Sequence, residues 1–135
     1  MKITKTVEDT HEFAASIAEK IKDGGVICLT GDLGSGKTTF SKGVAKYLGI
    51  DQMDIKSPTY TYIRKYGQNF YHIDLYRIEE IDELMESELN EIFENHKNIV
   101  IIEWADKLHN LMPKDSIKIE IKYVSEKERA FNLKQ

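Results

Sequence analysis

The segment Gly31–Thr38 combines glycines with one lysine and one hydroxyl residue. It reads Gly-Asp-Leu-Gly-Ser-Gly-Lys-Thr and matches the pattern G-x-x-x-x-G-K-[ST] at every fixed position. Glycines let a backbone curl until successive N–H groups converge on one phosphate, and the positive end of a following helix attracts the same group. In such a loop Lys37 reaches the β- and γ-phosphates, and Thr38 offers its hydroxyl to Mg²⁺. The segment therefore predicts a loop that binds the polyphosphate of a nucleotide.

A loop of this kind works with an acid that holds Mg²⁺ or orients the attacking water, usually at the end of a buried strand. Glu103 directly follows the apolar run 99–102, so its carboxylate is expected at the sheet edge where open α/β folds bind ligands. The alternative is a solvated residue at the start of a loop. Asp74 ends the strand-like segment 70–75. It is a candidate Mg²⁺ ligand through water or a base toward water, and an ion pair with Arg77 or a turn cap explains it as well.

Three other side chains have open roles. Thr59 lies in a segment that could sense the γ-phosphate as switch loops do, although ordinary β-propensity also explains it. Trp104, the only tryptophan, is a core anchor, a base-stacking platform or a protein-contact residue. The four histidines show no zinc-type spacing with cysteine or carboxylates, and we expect His72 to be structural.

Apolar periodicity and turn residues predict the elements that position these side chains. Thr6, followed three residues later by Asp9, resembles a capping box at the start of the first helix. We expect helices at 7–22, 37–48, 79–95 and 105–111, and strands at 26–29, 59–66, 70–75, 99–102 and 117–123, with a last short strand through 133. The third helix is expected to present one apolar face, formed by Ile81, Leu84, Met85, Leu89, Ile92 and Phe93. The runs 26–29 and 99–102 are apolar throughout, which predicts buried parallel strands in the sheet centre. The pattern indicates an α/β fold with a central, mostly parallel sheet and antiparallel edge hairpins.

The bulk properties agree with one domain over residues 1–135. Apolar residues make up 41% of the chain and the formal net charge is −4, which argues against a strongly basic surface that grips nucleic acid. No window approaches the ~20 apolar residues of a membrane span, and the first residues lack the apolar stretch of a signal peptide. We therefore expect no membrane association and a cytoplasmic location.

Four segments together resemble one family. They are GDLGSGKTTFSKG (31–43), SPTYTYIRKY (57–66), YHIDLYRI (71–78) and IIEW (101–104), and their order and spacing are similar to those of the TsaE (YjeE) family over about residues 7–134. The resemblance implies a P-loop NTPase-like three-layer fold, ATP and Mg²⁺ as cofactors, and a role in forming threonylcarbamoyl-adenosine in tRNA beside the anticodon. It also implies a complex with the proteins TsaD and TsaB, whose turnover the ATPase supports, and contact with tRNA only through that complex.

The resemblance also assigns residues. It implies that the phosphates are cradled by a run of loop and helix residues: Gly34, Ser35, Gly36, Lys37, Thr38 and Thr39. Thr38 and Glu103 would hold Mg²⁺, and Asp74 is similar to the family's essential acid, so that Lys37, Asp74 and Glu103 form the catalytic set. Trp104 matches the family's tryptophan after the strand-end glutamate. Glu8 and Arg129 resemble positions on the base and sugar side of the nucleotide.

Two other functions remain open from the sequence. A nucleotide-dependent binding switch would need ATP occupancy and would hydrolyse ATP only incidentally. A small-molecule kinase would need a lid with arginines that closes over the phosphates, and the chain has only three arginines. The chain lacks the Asn/Thr-Lys-x-Asp segment that reads guanine, which agrees with ATP.

Overall fold

The computed structural model describes residues 1–32, 34–50 and 62–134, and Thr59 therefore lies outside the described residues. One sheet runs through this part of the chain, in the strand order β1-β7-β6-β2-β5-β4-β3. The strands are β1 Lys2–Thr4, β2 Gly25–Gly31, β3 Ile63–Tyr66, β4 Phe70–Asp74, β5 Ile99–Glu103, β6 Ile117–Tyr123 and β7 Arg129–Lys134. The helices are α1 Val7–Glu19, α2 Lys37–Tyr47, α3 Glu83–Glu94 and a 3₁₀ helix at Ala105–Leu111.

The middle of the sheet is parallel. Strand β2 pairs in parallel with both β5 and β6, and β5 pairs in parallel with β4. The outer pairs β3–β4, β6–β7 and β1–β7 are antiparallel. The predicted fold class is confirmed, as is the parallel pairing of the two apolar runs. The β3–β4 hairpin was predicted to lie at the sheet edge. Only β3 lies there, because β4 also pairs with β5.

Successive residues of the central strands point to opposite faces of the sheet, and each face is covered by different helices. Ile27 and Leu29 pack with apolar residues of α1 and α2, whereas Cys28 packs on the other face with residues that include Leu89 of α3 and Leu108 of the 3₁₀ helix. This alternation explains why β2 is apolar throughout. The result is the predicted three-layer arrangement of helices, sheet and helices.

The helix beginnings follow their capping residues. Thr6 accepts a hydrogen bond from the Asp9 backbone N–H at 3.0 Å, as the capping pattern predicts. The prediction that the third helix begins at residue 79 was wrong, because the Asp82 side chain caps α3 by accepting from Met85 N–H at 2.9 Å. Leu84 was predicted on the apolar face, but it lies in the first turn and is 71% exposed.

Two other details differ from the sequence prediction. Helix α1 ends at Glu19, and residues 20–23 continue as turns rather than as helix. Strand β1 was not predicted; it has only three residues and forms through antiparallel pairing with β7. Within the described residues, no helix combines the length and apolar character that crossing a bilayer requires.

Candidate functional site

A cleft of about 760 Å³ opens over the carboxyl ends of the parallel strands. Its floor includes Lys37 and Thr38 from the start of α2, and Asp74 and Glu103 from the ends of β4 and β5. Its rim includes the start of α1 and the turn between β6 and β7. Ligands of open α/β sheets bind at this end of the strands, so the topology brings the candidate residues to one place.

The glycine-rich loop enters α2 through left-handed backbone. Gly34 has φ +79° and Gly36 has φ +113°, values that residues with a Cβ rarely adopt. A Cβ at Gly34 would meet no atom within 4 Å, so backbone conformation rather than crowding requires glycine there. Ser35, within the loop, is fully buried. Gly36 is the N-cap of α2 without a side-chain cap, which leaves the helix N-terminus open toward the cleft, where Thr39 in the first turn also lines the wall.

The ammonium group of Lys37 is held against its own loop. It donates to the carbonyl oxygens of Gly31 at 2.7 Å and Asp32 at 2.8 Å, and it lies 4.1 Å from the centre of the Trp104 ring. Burial lowers the pKa of Lys37, and the carboxylates of Glu103 and Asp74 oppose that shift. A partly desolvated cation beside an open helix N-terminus suits an anionic ligand.

Glu103 is buried at the end of β5 and is surrounded by donors. Its Oε1 accepts from the Thr38 hydroxyl at 3.3 Å, and its Oε2 lies 3.3 Å from the Ser41 hydroxyl and 2.5 Å from His72 Nε2. The residue is only 2% exposed. The alternative that Glu103 is a solvated loop residue is therefore wrong, because the apolar strand carries it beneath α2.

Asp74 lies beside Glu103 because the two residues are register partners in the parallel strands β4 and β5. The Asp74 Oδ1 accepts from the backbone N–H of Tyr76 at 3.0 Å, so the turn-capping alternative is confirmed. Burial raises the pKa of Asp74, the neighbouring Glu103 raises it further, and the bond from Tyr76 lowers it. Capping leaves the second carboxylate oxygen available to the cleft that Asp74 lines.

Trp104 is one of the described residues other than glycine that have positive φ, at 60°. This left-handed residue turns the chain directly after Glu103 and brings the indole against Lys37. The Tyr76 ring lies 5.1 Å from the Trp104 ring. Trp104 is half-buried in the cleft wall rather than enclosed in the core.

The remaining predicted residues divide between the cleft and its surroundings. The Arg129 side chain lines the cleft and passes close to Gly36, where an added Cβ would lie 3.7 Å from Arg129 Cγ. The Arg129 guanidinium donates to the Ser125 carbonyl at 2.6 Å and stacks over Tyr123. Glu8 is exposed in the first turn of α1; its neighbours Thr6 and Val7 line the cleft, whereas Glu8 does not.

Sequence reasoning missed two contacts of Glu103. His72 was expected to be structural, and it is indeed fully buried, but its ring contacts Glu103. The signal was the spacing of His72 and Asp74, because residues two apart on a strand share a face. Ser41 lies one helical turn after Lys37, and its hydroxyl donates to the Lys37 carbonyl at 3.0 Å, a local bond that the sequence pattern does not distinguish.

The donors at this site fit a hard divalent cation that binds through oxygen. In the described part of the chain, no group of three or more histidine, cysteine or acidic side chains could hold a metal ion. The Thr38 hydroxyl and the Glu103 carboxylate offer oxygen ligands only, which suits Mg²⁺, an ion that binds through one or two protein oxygens together with water and phosphate. These residues therefore fit Mg²⁺ when a polyphosphate completes the ligand set.

Comparisons with known proteins agree with one another. The family model described as Threonylcarbamoyl adenosine biosynthesis protein TsaE matches residues 4–131. The chain is similar to the tRNA threonylcarbamoyladenosine biosynthesis protein TsaE of Bacillus subtilis (strain 168), with 39% identity over 93% of this chain and 79% of that protein. The protein of the same name from Rickettsia bellii (strain RML369-C) is 32% identical over 97% of this chain and 92% of its own length. The crystal structure of Bacillus subtilis YdiB superposes with a TM-score of 0.77 at 32% identity, covering 98% of this chain and 82% of that one.

Proposed function

The chain belongs to the TsaE family, whose members are named for threonylcarbamoyl adenosine biosynthesis, and on this premise we propose that it binds and hydrolyses ATP with Mg²⁺. The observation that carries the proposal is the contact between Thr38 and Glu103 in the cleft that Lys37 also lines. A hydroxyl and a carboxylate 3.3 Å apart at the start of a phosphate-loop helix are the oxygen pair that such a nucleotide site needs for its metal.

Different residues of the cleft are proposed to bind the phosphates, the metal, and the base and sugar of the nucleotide. Backbone N–H groups at the open N-terminus of α2, from Gly34 through Thr39, bind phosphate oxygens. Lys37 adds a cation at the same point. Mg²⁺, held by Thr38 and Glu103, would neutralise charge on the phosphates. Glu8 and Arg129 are proposed on the base and sugar side, Arg129 from the cleft wall and Glu8 from beyond it.

Asp74 is the proposed base toward the attacking water. It lines the cleft beside Glu103, and its raised pKa makes the carboxylate a better proton acceptor than an ordinary aspartate. One of its oxygens is held by Tyr76 N–H, which fixes the orientation of the other. Trp104 covers Lys37 from the adjoining wall, and we propose that it excludes water or contacts a partner.

The family supports a place for this activity in forming threonylcarbamoyl-adenosine in tRNA. We propose that the chain acts on a complex of TsaB and TsaD and supports its turnover, reaching tRNA only through that complex. Thr59, which lies outside the described residues, is proposed as a switch or partner-contact residue. The expected location is the cytoplasm.

The test is Mg²⁺-dependent ATP hydrolysis with and without the TsaB–TsaD pair, with Lys37→Ala as the inactive control. We expect low hydrolysis by the chain alone, stimulation by the pair, and loss of both in the variant. ATP binding without any effect of the pair would overturn the partner proposal and leave the ATPase proposal standing. If Glu103→Gln supported the pair fully without hydrolysis, the chain would be a binding switch instead.

A further inference from the structure

His72 is a buried polar side chain with one hydrogen-bond partner among the described residues. It lies in β4 at 0% exposure, its Nε2 is 2.5 Å from Glu103 Oε2, and its Nδ1 has no hydrogen-bond partner in the described part of the chain. A buried imidazole that leaves one nitrogen unpaired gives up hydrogen bonds that it would make in water. A space-filling apolar residue would avoid that loss, so the single contact that His72 makes calls for a reason.

The contact divides the two oxygens of Glu103. Oε1 faces the Thr38 hydroxyl, and Oε2 faces His72 and Ser41. An ionised carboxylate only accepts hydrogen bonds, so with Glu103 ionised the hydrogen of this contact belongs to Nε2 of His72. A hydrogen bond to an ionised carboxylate is stronger than one between neutral groups.

Ser41 is a weaker constraint on the same oxygen. Its hydroxyl has one hydrogen, and the Lys37 carbonyl at 3.0 Å is a nearer acceptor than Oε2 at 3.3 Å. His72 has no competing acceptor for its Nε2 hydrogen in the described structure. The orientation of the carboxylate therefore depends chiefly on the imidazole.

We infer that His72 is a positioning residue: it fixes Oε2 of Glu103 so that Oε1 stays directed at Thr38, where the metal is proposed to bind. The strand register brings the His72 ring within reach of Glu103, because Asp74 pairs with Glu103 and His72 lies two residues before Asp74 on the same face of the sheet. Partners that orient metal ligands typically change metal affinity by about 10- to 100-fold when they are replaced. This inference rests on the proposed function.

Two substitutions separate positioning from space filling. In His72→Gln the side-chain amide nitrogen occupies roughly the place of Nε2, whereas in His72→Asn it falls nearer to Nδ1. We expect His72→Asn to weaken metal binding by about 10- to 100-fold and His72→Gln to stay within about threefold of the parent, because the donor to Oε2 is kept. His96→Asn, which changes an exposed histidine, is the matched control and should change nothing.

Metal binding is measured without turnover, by the electron paramagnetic resonance of Mn²⁺ titrated into protein with ADP. Affinity for ADP in EDTA should be the same in all variants, since His72 does not line the cleft. Equal Mn²⁺ affinities in the Gln and Asn variants, or no loss in the Asn variant, would overturn the inference. Thermal unfolding shows whether each variant is folded. If His72→Asn is not folded, the nitrogen-15 measurement on the parent protein and Glu103→Gln decides.

The second measurement needs neither metal nor nucleotide. Nitrogen-15 spectra of histidine-labelled protein should show His72 with its hydrogen on Nε2, and this signal should shift in Glu103→Gln. A hydrogen on Nδ1 alone would refute the positioning contact. Failure of the parent to bind Mn²⁺ with ADP while the Nε2 signal persists would instead count against the proposed ATPase function, so the two failures are distinguishable.

Discussion

Replacing Lys37 with methionine separates the contribution of its charge to binding from its contribution to stability. Methionine has a similar length and keeps the apolar stem, so the change removes chiefly the ammonium group. In the free protein that group has three hydrogens, two of which are bound by carbonyls at 2.7 and 2.8 Å, and the third points toward Ser35 Oγ at 3.3 Å. The third is the longest of these bonds, and a phosphate oxygen would replace it.

The magnitude follows from that one donor. A hydrogen bond to a charged group is worth about 1.5–3 kcal/mol, which corresponds to a loss of about 10- to 150-fold in ATP affinity. The figure is a lower bound because the long-range attraction between the ammonium and the other phosphate charges adds to it. Isothermal titration calorimetry with MgATP measures the loss, and Lys46→Met, an exposed lysine on the same helix, is the control.

Stability should respond differently. Burial lowers the pKa of Lys37, so its charged form is less favourable in the folded protein than in water. We therefore expect the free energy of unfolding of Lys37→Met, measured in urea, to equal or exceed that of the parent. A fall of more than about 2 kcal/mol, comparable to breaking a buried polar network, would refute the reasoning, and so would unchanged ATP affinity.

Three further predictions concern the carboxylates and His11. Glu103→Gln should lower Mg²⁺-dependent hydrolysis more than ATP binding, because the amide keeps the shape but not the charge; equal losses in both assays would contradict this. The pKa of Asp74 is raised in the folded protein, so the contribution of Asp74 to stability declines as pH rises above about 3.8. At pH 7, Asp74→Asn should therefore unfold at a higher urea concentration than the parent and hydrolyse ATP more slowly. A variant less stable than the parent would contradict the stability prediction. Burial and the charge of Lys46 lower the pKa of His11, so its stabilising contribution is complete above about 6.5 and is lost as pH falls below that value. Urea unfolding between pH 5 and 8 should therefore depend less on pH in His11→Gln, and parallel curves would show that His11 is not responsible.

The phosphate loop and the strand that carries Glu103 were predictable because each is local in sequence. The glycines and Lys37 follow one another within eight residues, and an apolar run directly before Glu103 is a pattern that burial imposes. Local pattern also gave the cap of α1, since Thr6 and Asp9 lie in one turn. These elements can be predicted without knowing which strands are neighbours in the sheet.

Contacts between strands were less predictable. Asp74 and Glu103 lie 29 positions apart in sequence, and they meet only because β4 and β5 pair in register. A shift by one residue would send Asp74 to the other face of the sheet, and no residue pattern fixes that register locally. The contact of His72 with Glu103 depends on the same pairing, which is why a structural role was expected for His72 and its partner was not.

The elements that were misjudged have weak local signals. Strand β1 forms through its pairing with β7 rather than through alternation of its own. The beginning of α3 depended on a choice between acidic residues at 79–83, and the side chain of Asp82 made the cap. Leu84, inside that first turn, then pointed to solvent although its apolar character suggested the core.

Three unfavourable features of the described chain lie together at the cleft. Burial works against the charged forms of both Lys37 and Asp74, and Trp104 holds a left-handed backbone that non-glycine residues rarely adopt. Apolar packing around Phe40, a fully buried residue of α2, offsets these contributions elsewhere. Selection for stability alone would remove the unfavourable charges. Their position beside Glu103 agrees with the proposed function, because a bound polyphosphate would add negative charge beside Lys37 and its metal would add positive charge beside Asp74.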